Sequence, residues 1–315
     1  MIKFNNLFVI LSLFDGMSCG QIAINKIIKK GREYLYLASE IEKSSMRVTK
    51  KRYPKTIHVG DVKNLTVDLI NNIVKNLTVD VIIDLLIGGS PCTDLSIAGK
   101  RKGMTTVEKI KITSLDQYLK LKKDGFKFQG QSYLFWEYVR CLKEEFKPKY
   151  FFFENVIMAK EWEEIITKEL GVKPIRINSL LVSAQNRDRL YWTNIPNVTT
   201  PKDLKISLSS IISGAKGCGY RGVLNPITNK YVPNFTIRKD DKSNCVVTSG
   251  ATNKIYLSNG KERDLKIEEM EMLQTIPIGY TDVEGVPKTQ RKKMLGNGWT
   301  VDVITHFFKE IPELV

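Results

Sequence analysis

One of the five cysteines, Cys92, ends the run Ile87-Gly88-Gly89-Ser90-Pro91-Cys92. Glycines and a proline on its N-terminal side would hold the thiol in a turn rather than inside a core, although a buried structural cysteine is the common fate of this residue type. If turn amides or nearby arginines lower its pKa, such a thiol becomes a nucleophile. A second position with chemical potential follows the aromatic run Tyr150-Phe151-Phe152-Phe153, where Glu154 precedes Asn155 and Val156. A carboxyl group there is expected to be partly desolvated, a setting that favours proton donation near neutrality. In Gln185-Asn186-Arg187-Asp188-Arg189, alternation along an extended backbone puts Arg187 and Arg189 on one face, suited to a phosphate or a carbonyl oxygen. A surface salt bridge is the default for either arginine alone.

Three further places look able to hold a ligand. Leu13-Phe14-Asp15-Gly16-Met17-Ser18-Cys19-Gly20 reads as a strand entering a glycine-containing turn and then a helix, a geometry that lets backbone amides approach a nucleotide-like group. Glu40 stands at the end of the next predicted strand, where an acidic side chain can accept from ribose hydroxyls, and Asp61 follows the third, placed to meet an adenine amino group. A solvated surface carboxylate is the plain alternative for each. The only histidines are His58 and His306, so a His-activated nucleophile or a His-rich metal site is hard to assemble. The scattered cysteines include no C-x-x-C pair, which argues against zinc and a disulfide framework and for a reducing compartment.

The elements that must position these residues alternate between apolar runs and amphipathic stretches. Strand-like Leu7 to Phe14, helical Gly20 to Lys30, strand-like Tyr34 to Ser39, helical Val67 to Leu77 and strand-like Val81 to Ile87 predict β-α-β units on a parallel sheet. A helix around Leu134 to Glu145, the strand Tyr150 to Phe153, a helix over Glu161 to Leu170 and a strand-like run Ile175 to Val182 continue the pattern. From about Asn194 to Asn244 prolines and glycines accumulate and periodicity fades, which predicts a small irregular lobe. Patterned sequence returns with a short strand at Cys245 to Thr248, a helix over Ile267 to Thr275 and a last helix from near Val301. The expected class is therefore α/β, with a doubly wound, mostly parallel sheet.

The charge, 49 Lys+Arg against 34 Asp+Glu, is +15, which favours a polyanionic partner, although a composition biased toward lysine would give the same figure. The Leu7 to Phe14 run is too short to span a membrane and reads as a buried strand, so no membrane role is expected.

With these motifs in order, and with the terminal Gly296-Asn297-Gly298-Trp299, the chain resembles the cytosine-C5 DNA methyltransferases along nearly its whole length. It is most similar to their compact group, which includes the animal de novo enzymes and phage and bacterial relatives. Gly88 to Ser96, Val182 to Pro196 with Tyr191-Trp192, Tyr280 to Val283 and Leu295 to Val301 support that placement. The resemblance implies a Rossmann-like fold that binds S-adenosylmethionine and releases S-adenosylhomocysteine. The implied cofactor contacts are Phe14, Asp15, Gly16, Met17, Cys19, Gly20, Glu40, Ile41, Asp61, Val62, Gly89, Pro91, Asn297, Gly298 and Trp299. It also implies methylation of a flipped-out cytosine in double-stranded DNA, with Cys92 as nucleophile, Glu154 at N3, and Arg187 and Arg189 at O2. Residues 1–193 would form the catalytic and cofactor-binding domain, 194–244 the target-recognition region and 245–315 the return that completes the catalytic domain.

Gly103 to Gly130 is longer and richer in lysine than the corresponding catalytic loop of many relatives, and is expected still to close over DNA. An intracellular protein, bacterial or phage-encoded, with or without a cognate restriction endonuclease, fits the resemblance. A tRNA cytosine methyltransferase, from one branch of the same family, and a catalytically silent DNA-binding homologue are the alternatives. Neither the recognised DNA sequence nor the oligomeric state is legible.

Overall fold

A computed structural model describes residues 7–75, 81–96, 102–248 and 253–315. Strand β1 (Phe8–Leu13) is apolar at every position but one, and the alternation of a strand sends its side chains to opposite faces. Phe8 and Ile10 join one buried cluster, while Val9, Leu11 and Leu13 join the other. That two-sided burial is what a central parallel strand requires. Around it lie β2 (Tyr34–Ser39), β3 (Ile57–His58), β4 (Leu85–Gly88), β5 (Tyr150–Val156), β6 (Ile175–Asn178) and β7 (Asp188–Thr193), in the spatial order β3-β2-β1-β4-β5-β7-β6. Strands β1 to β5 pair in parallel, whereas β7 runs antiparallel between β5 and β6. The last two strands therefore form a hairpin rather than the further β-α repeat expected from the sequence.

Helices α1 (Cys19–Ile27), α8 (Ile267–Leu273), α9 (Lys288–Asn297) and α10 (Val301–Phe308) contribute to one apolar layer. Helices α3 (Val67–Val74), α5 (Phe135–Arg140) and α6 (Lys160–Leu170) contribute to the other. Helix α2 (Lys43–Arg52) links β2 to β3. The aromatic run of β5 is shared between the layers. Phe152 packs edge-on against Trp299, Phe307 and Phe308, while Phe153 meets Phe135, Tyr138 and Trp192. Each such side chain adds roughly 1.5–3 kcal/mol by burial, and together they fix the strand that ends in Glu154.

The lysine-rich stretch 103–130 is folded onto the second layer, with Met104, Ile112, Leu115, Tyr118 and Leu121 buried and helix α4 (Leu115–Lys123) capped by Ser114. Gly103 lies flat against the Trp162 ring, where a Cβ would overlap the indole. At the base of the excursion Asp94 accepts from the amides of Gln131 and Ser132 at 3.1 and 3.4 Å.

After the short helix α7 (Leu208–Ile211), strands β8 (Lys216–Asn225) and β9 (Lys230–Ile237) make a long hairpin. With β10 (Lys254–Tyr256) and β11 (Glu262–Asp264) it forms a four-stranded antiparallel sheet, order β11-β10-β8-β9. The region expected to be irregular thus contains ordered pairing, and its sheet continues past Asn244. Cys245 to Thr248, expected as a strand, belongs to no sheet. Ser243 makes an isolated bridge with Gln185, and the amides of Val246 and Val247 donate to the side chains of Gln185 and Asn253 instead of to a neighbouring strand. No helix among the described residues is long and apolar enough to cross a membrane.

Candidate active site

The carboxyl ends of β1, β2, β4 and β5, with the turn after β3, open into a cavity of about 530 Å³, within the range of small-molecule sites. Every residue proposed above for catalysis or cofactor binding lines it, except Gly20. Gly20 is a packing position: a Cβ there would lie 2.4 Å from Ile87 Cδ1 and 2.9 Å from the Tyr36 hydroxyl, so the glycine lets α1 sit down on the sheet.

At one end the loop after β1 alternates in and out of the left-handed region, with φ of 56° at Phe14, 59° at Gly16 and 62° at Ser18. Non-glycine residues in that region cost of order 1–2 kcal/mol each, and such alternation gathers amide groups into a concave, anion-favouring surface. Asp15 is buried beneath the loop, accepting from Ser18 Oγ and, at 2.7 Å, from the Tyr36 hydroxyl. Burial pushes its pKa up to about 6, with those hydrogen bonds opposing the rise. Glu40 accepts from the Gly16 amide on one oxygen and from the Ile41 and Glu42 amides on the other, each at 2.7 Å. Its carboxylate is thereby held rigidly at the cavity wall. Asp61 caps the turn after β3 through the Lys63 amide at 3.0 Å, and pairs with the Lys63 ammonium at 3.1 Å.

The C-terminal segment closes this end. Helix α9 brings Gln290, Lys293 and Met294 to the wall, residues that reading the sequence did not single out, and Lys293 reaches Glu42 at 3.2 Å. The side-chain oxygen of Gln290 is buried without a protein partner, as expected of a group that meets a polar ligand. Anchored carboxylates on successive strand ends and this orphaned oxygen fit a nucleoside-bearing cofactor.

The other end is a cluster of charged and thiol groups. Cys92 is half-buried on the turn after β4. Glu154 accepts from Trp299 Nε1 at 3.0 Å and pairs with Arg189 Nε at 3.0 Å. A Cβ on Gly89 would lie 3.0 Å from the same Glu154 oxygen and 3.1 Å from the indole nitrogen, so that turn must pass bare beside the carboxylate. Asn155 ties β5 to the Cys92 turn through Ser90 at 3.4 Å.

The two arginines differ in what they hold. Arg187 spends its guanidinium on the carbonyls of Val246, Gly296 and Gly298 and on Cys245, which makes it a bracket for the C-terminal return. Arg189 instead faces Glu154. Behind both, buried Gln185 and Gln274 bond to each other and to the Thr300 hydroxyl, fixing the return from the core side. Neither glutamine was legible as important, because their partners lie far away in sequence.

The electrostatics correct one expectation. Burial raises the pKa of the Cys92 thiol and the Glu154 charge raises it further; Arg189 and Arg187 oppose the shift without reversing it. Burial under the loop pushes the Cys19 thiol up to about 12. Among the described residues no group of three or more His, Cys, Asp or Glu side chains is arranged to hold a metal ion.

Comparison with known proteins finds a family match over part of the chain and a shared fold over nearly all of it. Residues 8–115, which carry the turn after β1, Glu40, Asp61 and Cys92, match the C-5 cytosine-specific DNA methylase family. The orphan methyltransferase M.Rho11sI of Bacillus phage rho11s is 31% identical over 202 residues, covering 58% of this chain and 32% of that protein. M.SPRI of Bacillus phage SPR is 28% identical over 206 residues, covering 59% and 37%. The chain thus spans about a third of the length of these curated relatives. A crystal structure described as a putative DNA modification methyltransferase encoded within a prophage of E. coli superposes with a TM-score of 0.63 over 98% of this chain and 99% of that one, at 16% identity. Over residues 8–115 the chain is thus similar to the C-5 cytosine-specific DNA methylase family, and over nearly its whole length it shares the fold of a solved methyltransferase.

Proposed function

We propose that the protein transfers a methyl group from S-adenosylmethionine to carbon 5 of cytosine in double-stranded DNA through a covalent Cys92–C6 adduct. The observation that carries this reading is the convergence of Cys92, Glu154 and Arg189 on the cavity that also holds Glu40, Asp61 and the turn after β1. When bound, the cofactor supplies an electrophilic methyl sulfonium. Residues Phe14 to Cys19, Glu40, Ile41, Asp61, Val62 and Asn297 to Trp299 would hold it. Residues 1–193 and 245–315 are assigned to catalysis and cofactor binding, and 194–244, with the hairpin β8–β9, to reading the DNA.

A cytosine within a duplex is out of reach of these side chains, so the base must leave the stack. The Cys92 thiol gives its proton to water, its sulfur bonds to C6, and Glu154 gives a proton to N3, which places the displaced electron pair at C5. Arg189 steadies the carbonyl at C2, and Arg187 positions the surrounding return. After C5 takes the methyl group, its proton leaves to a base, the S–C6 bond breaks, and Glu154 recovers its proton. Proton transfer leaves Glu154 as a carboxylate paired with Arg189, while the two guanidinium groups offset the burial and the Glu154 charge that hold the Cys92 thiol up.

The experiment is transfer of labelled methyl from S-adenosylmethionine to unmethylated duplex DNA, with tRNA in parallel and bisulfite sequencing of the DNA. Label at cytosine C5 in a fixed context supports the reading. Label confined to tRNA moves the protein to the RNA branch, and no label despite cofactor binding makes it a silent homologue.

A further inference from the structure

A second thiol stands beside the catalytic arginines, and the mechanism above does not use it. Cys245 lies on the extended segment after the β8–β9 hairpin, its sulfur 3.1 Å from Arg187 Nη1 and 3.7 Å from Arg189 Nη2. Two guanidinium groups on one face of a strand repel each other unless an anion stands between them. Glu154 balances Arg189 from the far side through Nε, and apart from Cys245 the Arg187 hydrogen bonds go to uncharged carbonyls. The other titratable groups whose fields reach this cluster are Cys92 on the β4 turn, Cys19 on α1, and Tyr191 and Asp188 on β7. Asp188 itself is paired with Arg176.

We propose that Cys245 is a positioning residue, its sulfur bridging Arg187 and Arg189 so that Arg189 is held at the angle that serves Glu154 and the target carbonyl. Burial alone would raise the pKa of this thiol, but the two arginines outweigh burial and leave it lowered, opposite to Cys92 in the same site. The bridge also joins two tasks of the arginines, since Arg187 brackets Gly296 and Gly298 at the cofactor end while Arg189 serves the base end.

The proposal rests on the methyl-transfer reading, and the test separates the two. The ultraviolet thiolate absorbance of the protein without cofactor or DNA is titrated for the wild type, Cys245→Ser and Cys245→Asp, and kcat, KM and cofactor Kd are measured across pH. A thiolate ionising below the ordinary cysteine range in the wild type should be missing in Cys245→Ser. In that variant kcat should fall by roughly ten- to hundred-fold, the scale of a misplaced catalytic group, with cofactor Kd unchanged. Cys245→Asp, which restores an anion, should recover most of kcat and move the acidic limb of its pH profile lower. An unchanged titration in Cys245→Ser overturns the proposal, as does wild-type kcat in that variant or a Cys245→Asp no better than Cys245→Ser. If the wild type moves no methyl group, the methyltransferase reading falls, while the absorbance titration still decides whether Cys245 is ionised between the arginines.

Discussion

At the cofactor end of the cavity each carboxylate has a near neighbour in the chain among its partners: Glu40 the amides of Ile41 and Glu42 beside that of Gly16, Asp61 the amide of Lys63, and Asp15 the hydroxyl of Ser18 beside that of Tyr36. At the base end the partners come from far away, with Glu154 meeting Arg189 and Trp299, and Arg187 meeting Cys245, Gly296 and Gly298. The first end is held by hydrogen bonds within the protein. The second is a balance of charges in which burial and the Glu154 charge raise the pKa of the Cys92 thiol against the pull of two arginines. The contrast teaches that one end is built to bind, and the other to change state when its ligand alters a charge.

The sharpest way to break this division is Cys92→Ala. Methyl transfer should drop to background, because no other thiol replaces the lost nucleophile. Cofactor Kd, measured by calorimetry, should stay at the wild-type value, since Cys92 belongs to the base end; a large loss of affinity would mean that the two ends are one unit. Glu40→Ala is the complementary cut. It removes a charged acceptor and strands three amides, and hydrogen bonds to charged groups are worth about 1.5–3 kcal/mol, so cofactor affinity should weaken by roughly ten- to hundred-fold. Alkylation of Cys92 by iodoacetamide in the same variant should proceed at the wild-type rate.

The same contrast explains what could be read in the sequence. Glu40 and Asp61 were legible because a carboxylate at a strand end is a local pattern, and Cys92 because its turn residues adjoin it. Gly20 was assigned to the cofactor because a glycine after a tight turn does not reveal whether it makes room for a ligand or, as here, for Ile87 and Tyr36. Cys245, Gln185 and Gln290 carry no local mark, since their roles depend on residues brought together by the return of the chain. The hairpin β8–β9 was masked by Gly217, Gly219 and Gly222 on one strand and Pro233 on the other, residues that ordinarily punctuate strands. The direction of the Cys92 shift was illegible for a related reason: the arginines can be read from the chain, whereas burial and the Glu154 charge beside the thiol are facts of packing.

Asp15→Asn probes the cost of burying a carboxylate at the cofactor end. The pKa of Asp15 rises from 3.8 to about 6 on folding, so the folded state takes up a proton. The stabilisation from that proton is complete below the unfolded value and is lost as pH rises through about 6. At 1.36 kcal/mol per pKa unit the loss amounts to about 3 kcal/mol. Urea unfolding should therefore show the wild type losing stability between pH 4 and 7 relative to Asp15→Asn. Parallel curves would mean that the carboxylate is solvated and that the loop carries no such cost.

The smallest effect tests the charge balance at the base end. Glu154→Gln keeps the shape of the side chain and removes the charge that helps hold the Cys92 thiol up, so the thiol pKa should fall. Each unit of fall gives about ten-fold more thiolate at a pH below the pKa, but a thiolate of lower pKa is also intrinsically less nucleophilic, which leaves a net gain of roughly three-fold in alkylation rate. Iodoacetamide labelling of Cys92 at pH 7, followed by peptide mass mapping, should accordingly be faster in Glu154→Gln than in the wild type, while methyl transfer collapses because N3 has lost its proton donor. Reactivity and turnover would move in opposite directions. If both fell together, Glu154 would be needed to form the thiolate rather than restraining it.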